Sequence, residues 1–393
     1  MKMSTQGVSI IISARNEEKT LPLTIGNLML DCWQAGIDFE FIIADNGSSD
    51  NTSSFWKFAW NDAYAKNSTT QVMRELRYSP RGMVAEGKVR FVYDPIFSNV
   101  GARHKAVEYA KFPNILFADA HILVKPNSIK YVLETLDTYG GIVHAPVAWL
   151  GASMDHPHPG MQYTYKVGEK IWGTWNYATV ENDKPFFIPV SGHCFIAVKK
   201  QQYNDFGGYD VNQRVYGGGE NYLDTLYWLL GSNVMVDPRA LVFHLSAGRG
   251  YSYDVNSLIH NMILTAYTLG GYKWAERIYV TYLDKPGTDL ETLNSLFNEA
   301  ITEGQEKRDL ISSRQVMQFE DVLAIGKPHD CDGKCRGEKY IGTANHARRI
   351  WDIKNDELHG HHLSFVQVYD DWLERLRTDV ARDFIRNSPH QQS

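Results

Sequence analysis

The sequence predicts an α/β protein: a doubly wound, mostly parallel sheet followed by a mainly helical C-terminal region. Three observations carry this prediction. Near-continuous apolar runs of strand length recur in the first third of the chain, separated by stretches of helical periodicity. Polar residues follow these runs, where parallel sheets place their ligands. Beyond Lys285-Pro286-Gly287 the strand signal fades and helical patterns dominate.

The elements follow in order. Residues 8–13 (VSIIIS) read as a strand buried on both faces, and Arg15-Asn16-Glu17-Glu18 leads into an amphipathic helix from Thr20 to about Trp33. Residues 39–44 (FEFIIA) form a second buried strand, ended by the turn-rich run Asp45-Asn46-Gly47-Ser48-Ser49-Asp50-Asn51-Thr52. A third strand covers 89–93, a helix opens at Asn99 and runs to about Lys111, and a fourth strand covers 115–117. Strand, helix and strand at this spacing mean βαβ units. After Pro126 come mixed strands and aromatic-rich loops over 142–206, then turns, a helix at 223–230 and a final strand at 240–244. Residues 256–283 read as one or two helices with a break at Gly270-Gly271, and further helices are expected near 290–302 and 366–386. A domain boundary is expected near residue 285, dividing the chain into 1–285 and 286–393.

Composition narrows the function. The chain has 393 residues, 43% hydrophobic, 22% charged and 12% aromatic, with four cysteines and a formal net charge of −6. Collagen-like, disordered and disulfide-scaffold classes are excluded. An acidic balance supplies no global field for nucleic acid or anionic membrane. No apolar run approaches the roughly 20 residues that span a bilayer, and the first residues show no signal-peptide pattern. A cytoplasmic, reduced protein is expected: Cys32 and Cys194 stand alone, and only Cys331 and Cys335 are close together.

The chemistry gathers at strand ends. Asp119-Ala120-His121 closes the fourth strand, and a carboxylate and an imidazole two apart on extended chain point the same way, towards one divalent ion. Mixed oxygen and nitrogen donors suit Mn²⁺ or a similar first-row ion better than Ca²⁺, while plain strand-end capping is the competing reading. Asp45 and Asp50 supply carboxylates for a base N–H or ribose hydroxyls; the same residues also suit an Asx turn with Asp50 as helix cap. In Tyr216-Gly217-Gly218-Gly219-Glu220-Asn221 the glycines let the backbone approach a ligand and swing a carboxylate into the site. His244 ends an apolar strand, where a histidine is either a core residue or a ligand, and a loop with Arg249 and Tyr251 follows it.

Read together, residues 7 to about 255 resemble family 2-like glycosyltransferases of the GT-A fold, nearest the branch of the polypeptide N-acetylgalactosaminyltransferases. Ser13-Ala14-Arg15-Asn16-Glu17 resembles the opening nucleotide-binding strand end, and Asp45–Thr52 the uridine loop. Asn99-Val100-Gly101-Ala102-Arg103 is similar to the basic helix start before the metal strand, and Asp119-Ala120-His121 to that branch's Asp-x-His motif. Ser191-Gly192-His193, Phe206–Asp210 and Gly218-Gly219-Glu220-Asn221 follow the acceptor-side order, and His244 falls at the third metal ligand.

The resemblance implies a UDP-sugar donor and Mn²⁺ or Mg²⁺ held by Asp119, His121 and His244. Ala14, Arg15, Asn16, Glu17, Asp45, Asp50, Arg103 and Asp119 would bind the nucleotide. Glu220, Asn221 and Arg249 would serve catalysis; Gly218, Gly219, His193, Trp172 and Tyr251 would face sugar or acceptor. Inverting relatives use a carboxylate near Glu220 as general base; the Asp-x-His branch implies retention, with the departing diphosphate taking the proton. The acceptor stays open among a glycan, a protein and a hydroxymethylated DNA base. Near it Trp172, Trp175, Tyr177, Phe186 and Phe187 suit stacking or core packing equally. No lectin domain or membrane anchor is recognisable, so a bacterial or phage-type cytoplasmic enzyme is expected. The alternatives are a catalytically silent GT-A binding protein and a nucleotidyltransferase, although the latter's glycine-rich loop is missing after the first strand. Oligomeric state is left open.

Residues 286–393 carry Cys331 and Cys335 with His346, His359, His361 and His362 downstream. That set suits either a structural Zn²⁺ or two reduced cysteines in a loop. No motif assigns this region a role; acceptor binding is one option.

Overall fold

The computed structural model describes residues 7–54, 88–94, 98–150, 153–158, 160, 162–164, 172–174, 184–245, 254–283 and 289–324. Strand β1 (Val8–Ala14) pairs in parallel with β2 (Phe39–Asp45) on one side and β4 (Asn114–Asp119) on the other, and β3 (Val89–Tyr93) continues the parallel run beyond β2. Every residue of β2 is buried and β1 nearly so, as central strands of a covered sheet require. Strands β6 (Ile142–His144), β11 (Phe186–Phe187), β12 (Phe195–Lys199) and β13 (Val234–Val236) complete an eight-stranded sheet in the order β11-β13-β6-β12-β4-β1-β2-β3. Here β12 runs antiparallel to both neighbours and β11 antiparallel to β13.

Alternation along β1 sends Ile10 and Ile12 into one core and Ile11 into the other. The first core packs under α1 (Leu21–Ala35), which has Pro22 in its first turn and is capped by Gly36 in the left-handed region, and α3 (Ser128–Tyr139). The second lies under α2 (Asn99–Val107), α5 (Gly219–Leu229) and α6 (Val255–Gly270). Short α4 (Lys200–Asp205) follows β12.

A second sheet stands at the carboxyl end of the first, in the order β5-β14-β7-β8: β5 (Ile122–Val124), β7 (Val147–Leu150), β8 (Ser153–His158) and β14 (Val242–Leu245). A two-stranded ladder joins β9 (Gln162–Thr164) to β10 (Trp172–Thr174). The final strand, expected at 240–244, is β14, and the helix expected at 223–230 begins earlier, at Gly219. The break at Gly270-Gly271 separates α6 from α7 (Tyr272–Leu283). The expected boundary near 285 falls outside the described residues. Beyond it α8 (Leu290–Arg314) lies along α6 and buries Leu293, Leu296, Ala300 and Ile311 in the second core, followed by α9 (Phe319–Ala324). At Gly304 of α8 a Cβ would lie 2.9 Å from both Thr268 and Tyr267, so only glycine permits this approach of α8 to α6. Among the described residues no helix is long and apolar enough to cross a membrane.

Candidate functional site

A cavity of about 820 Å³ opens beyond the carboxyl ends of β1 and β4. Its wall after β1 is the segment 14–18, locked to the loop 46–52 by reciprocal hydrogen bonds. The Asn16 backbone, in the left-handed region at φ 57°, donates to Ser48 Oγ at 3.1 Å, and Asn16 Oδ1 accepts from the Ser49 N–H at 2.8 Å. Arg15 donates to the Asn46 carbonyl at 2.8 Å. Asp50 accepts from the Glu18 N–H at 3.2 Å and the Thr52 N–H at 2.9 Å, so its turn-capping role is realised while it also lines the cavity. Asp45 is buried, accepts from the Ser48 N–H at 2.9 Å and does not line the cavity.

Opposite this wall three side chains converge. Donor atoms of Asp119, His121 and His244 all lie within 4.8 Å of one another. Asp119 is the last residue of β4, but Ala120 and His121 form a turn before β5. That turn, rather than an extended strand, brings His121 beside Asp119. His244 arrives from β14, which pairs with β5 so that His244 lies opposite Ile122. Its Nε2 is 3.4 Å from Asp119 Oδ2, and its ring meets that of His121 edge-on at 4.8 Å. His244 Nδ1 is buried with no hydrogen-bond partner among the described residues. Two imidazoles, a carboxylate and an unsatisfied ring nitrogen fit a first-row divalent ion.

Second contacts hold these donors. His121 Nδ1 lies 2.9 Å from Glu17 Oε1, which leaves Nε2 for a ligand role. Arg103, buried on α2, pairs with Asp119, donates to Ser13 Oγ at 3.0 Å and to the His193 carbonyl at 2.8 Å. Burial alone would raise the Asp119 carboxyl, but the His244 hydrogen bond and the charges of Arg103, His121 and His244 hold it well below the usual carboxylate range. For His121 burial acts downwards, and the hydrogen bond it donates to Glu17 with the charges of Asp119 and Glu17 outweighs it, so its pKa is raised.

No protein-family model matches the chain. Over 175 residues, 40% of this chain and 41% of the relative, it is 27% identical to a probable N-acetylgalactosaminyltransferase 8 of Caenorhabditis elegans. Over 158 residues, 38% of this chain and 24% of the relative, it is 23% identical to N-acetylgalactosaminyltransferase 4 of Drosophila melanogaster. The chain therefore spans less than half the length of either curated relative. Among solved structures it superposes on GalNAc-T7, crystallised with UDP, GalNAc and Mn²⁺, at a TM-score of 0.54 and 15% identity, covering 80% of this chain and 59% of that one. The chain has a GT-A fold.

Across the GT-A cavity stands the turn Gly217–Gly219 at the start of α5, with Gly217 at φ 96° and Gly218 at φ 86°. Gly217, Gly219 and Glu220 line the cavity; Asn221 is buried behind them. Among the described residues none hydrogen-bonds to the Glu220 carboxylate. Burial pushes its pKa up, and the charges of Asp119 and Asp224 add to this against the pull of His193 and Arg103. His193, expected towards the acceptor, reaches the cavity wall with both ring nitrogens engaged, Nε2 with Asp224 at 3.1 Å and Nδ1 with the Tyr209 hydroxyl at 2.8 Å. Trp172 lies in β10. Arg249, Tyr251, Cys331 and Cys335 lie outside the described residues. Sequence reasoning missed Trp149, whose ring meets His244 edge-on at 5.0 Å, and the cavity-lining Cys194 and Arg214; Tyr216, which opens the glycine motif, lines the cavity too. The signal for Arg214 was its position shortly before the glycine turn.

Proposed function

We propose that this chain is a metal-dependent glycosyltransferase that moves a sugar from a UDP-linked donor to a hydroxyl acceptor, with retention. The convergence of Asp119, His121 and His244 at one cavity facing Glu220 carries the reading. It is supported by the likeness to proteins named N-acetylgalactosaminyltransferases and by a structural neighbour crystallised with UDP, GalNAc and Mn²⁺. Residues 1–285 would form the catalytic domain and 286–393 a helical region serving the acceptor. A reduced, cytoplasmic setting is our reading of the cysteine use.

When bound, Mn²⁺ or Mg²⁺ would neutralise charge on a leaving diphosphate. Asp119, His121 and His244 would hold it, with Arg103 and Glu17 keeping Asp119 and His121 in place. Segments 14–18 and 46–52 would take the nucleoside. Glu220, whose carboxylate has no hydrogen-bond partner among the described residues, would accept a hydrogen bond from a hydroxyl of the transferred sugar or the acceptor. In the retaining reading the leaving diphosphate, not Glu220, takes the acceptor proton. Arg249 and Tyr251, on the segment after β14, would add positive charge and cover the sugar.

The test is release of UDP from UDP-sugars with Mn²⁺, with EDTA, and in Asp119→Ala, followed by mass spectrometry of glycan, peptide and hydroxymethylated-DNA acceptors. Mn²⁺-dependent turnover lost in Asp119→Ala supports the reading. Full activity in EDTA overturns the metal role, and no turnover of any donor favours a silent binding protein.

A further inference from the structure

The glycine turn that carries Glu220 does not hold itself. Gly217 and Gly218 sit in the left-handed region, where glycine is mobile unless its neighbours fix it. The fixing comes from α6, more than 40 residues on. Asn261 is fully buried there and turns both ends of its amide to this loop, with Oδ1 also 3.3 Å from His260 Nδ1. Its Oδ1 accepts from the Arg214 N–H at 2.7 Å, and the two hydrogens of its Nδ2 are shared among the carbonyls of Arg214 at 3.1 Å, Tyr216 at 3.1 Å and Gly217 at 3.0 Å.

Two further ties act on the same segment. Gln213 Nε2 donates to Thr265 Oγ1, one helical turn along α6, at 2.9 Å. The Arg214 guanidinium, which lines the cavity, pairs with Glu299 of α8. The approach is close: a Cβ on Gly218 would stand 3.0 Å from Thr265 Oγ1 and 3.5 Å from the Asn261 carbonyl.

We infer that Asn261 is a positioning residue for the proposed transfer, clamping the 214–217 backbone so that Gly219 and Glu220 face the cavity. The inference rests on the glycosyltransferase reading. It needs an amide: one group must accept from an N–H and donate to several carbonyls, which only Asn or Gln can do, and Gln is a methylene too long for a fully buried site. Aspartate keeps the shape but replaces the donor with an acceptor facing carbonyl oxygens.

Asn261→Asp and Gly217→Ala perturb the clamp from its two sides. Each should retain Mn²⁺–UDP affinity within about threefold, because segments 14–18 and 46–52 and the metal donors are untouched. Each should lose at least about tenfold in kcat, with faster amide hydrogen exchange over 213–220 and unchanged exchange in β1 and β4. A lesion of the whole fold would instead weaken UDP binding and speed exchange in β1 and β4. Should Asn261→Asp fail to fold, Gly217→Ala decides. Variants matching wild-type kcat, or losing kcat and UDP affinity together, overturn the clamp alone. A wild-type protein that turns over no donor overturns the transferase reading and this inference with it.

Discussion

Replacing Glu17 tests the site at its least expected contact. The resemblance assigns Glu17 to the nucleotide, yet its carboxylate stands 2.9 Å from His121 Nδ1 and also accepts from the Thr20 hydroxyl. Glu17→Gln preserves shape and leaves an amide oxygen that still accepts from Nδ1–H. What it removes is charge. A hydrogen bond to a charged group contributes about 1.5–3 kcal/mol and a neutral one about 0.5–1.5, so the change costs about 1–1.5 kcal/mol of imidazole orientation. That is roughly tenfold in Mn²⁺ affinity. Glu17→Ala removes the anchor altogether and should approach the roughly hundredfold upper range for outer contacts of metal ligands. Titration of free Mn²⁺ by electron paramagnetic resonance reads the affinity directly, and thermal unfolding of the metal-free protein shows whether the 14–18 wall survives. If both variants bind Mn²⁺ within twofold of wild type, Glu17 does not orient His121 and belongs to the nucleotide as the resemblance implies.

Glu220→Gln should slow sugar transfer, a neutral acceptor replacing a charged one, while stabilising the fold at alkaline pH. A carboxyl whose pKa is raised by burial favours the folded state only when protonated. The melting-temperature gain of the variant over wild type should therefore be near zero below the usual Glu value of about 4.3 and grow as pH rises through the raised one. Equal melting curves at pH 8 would contradict this. Acid should weaken the fold through two histidines: burial pushes His104 down to about 4, with Lys307 adding to it, and His144 to about 3. The unfolded chain takes up these protons at about pH 6.5, so stability should fall as pH drops from there towards 4. His104→Gln should flatten that slope in pH-dependent denaturation, and an unchanged slope would remove His104 as a cause.

The parallel half of the fold was legible because its strands are buried on both faces. Continuous apolar runs such as 8–13 and 39–44 have few other stable solutions, and the polar residues after them mark the strand ends without further information. The Asp119–His121 pair was legible for a partly mistaken reason: extended spacing suggested a common direction, while the chain in fact turns at Ala120. The second sheet was not legible. It depends on β14 pairing with β5 and β7 across more than 90 residues, and nothing local in residues 122–124 announces it. For the same reason no pattern could show that His193 is held from both sides by Asp224 and Tyr209.

The two walls of the cavity thus differ in how they are built. The wall from residues 14–18 and 46–52 is tied largely within itself, by hydrogen bonds between two adjacent loops, so its chemistry can be read from short motifs. The wall bearing Glu220 has a short motif but no self-contained structure. Its glycines permit many conformations, and the choice among them is made by Asn261 and Thr265 on α6 and by Glu299 on α8. A glycine-rich motif therefore names the residue that reaches the site while leaving its aim to distant helices. On this argument, substitutions on the buried face of α6 should alter turnover before they alter nucleotide binding, and changes in the 46–52 loop should do the reverse.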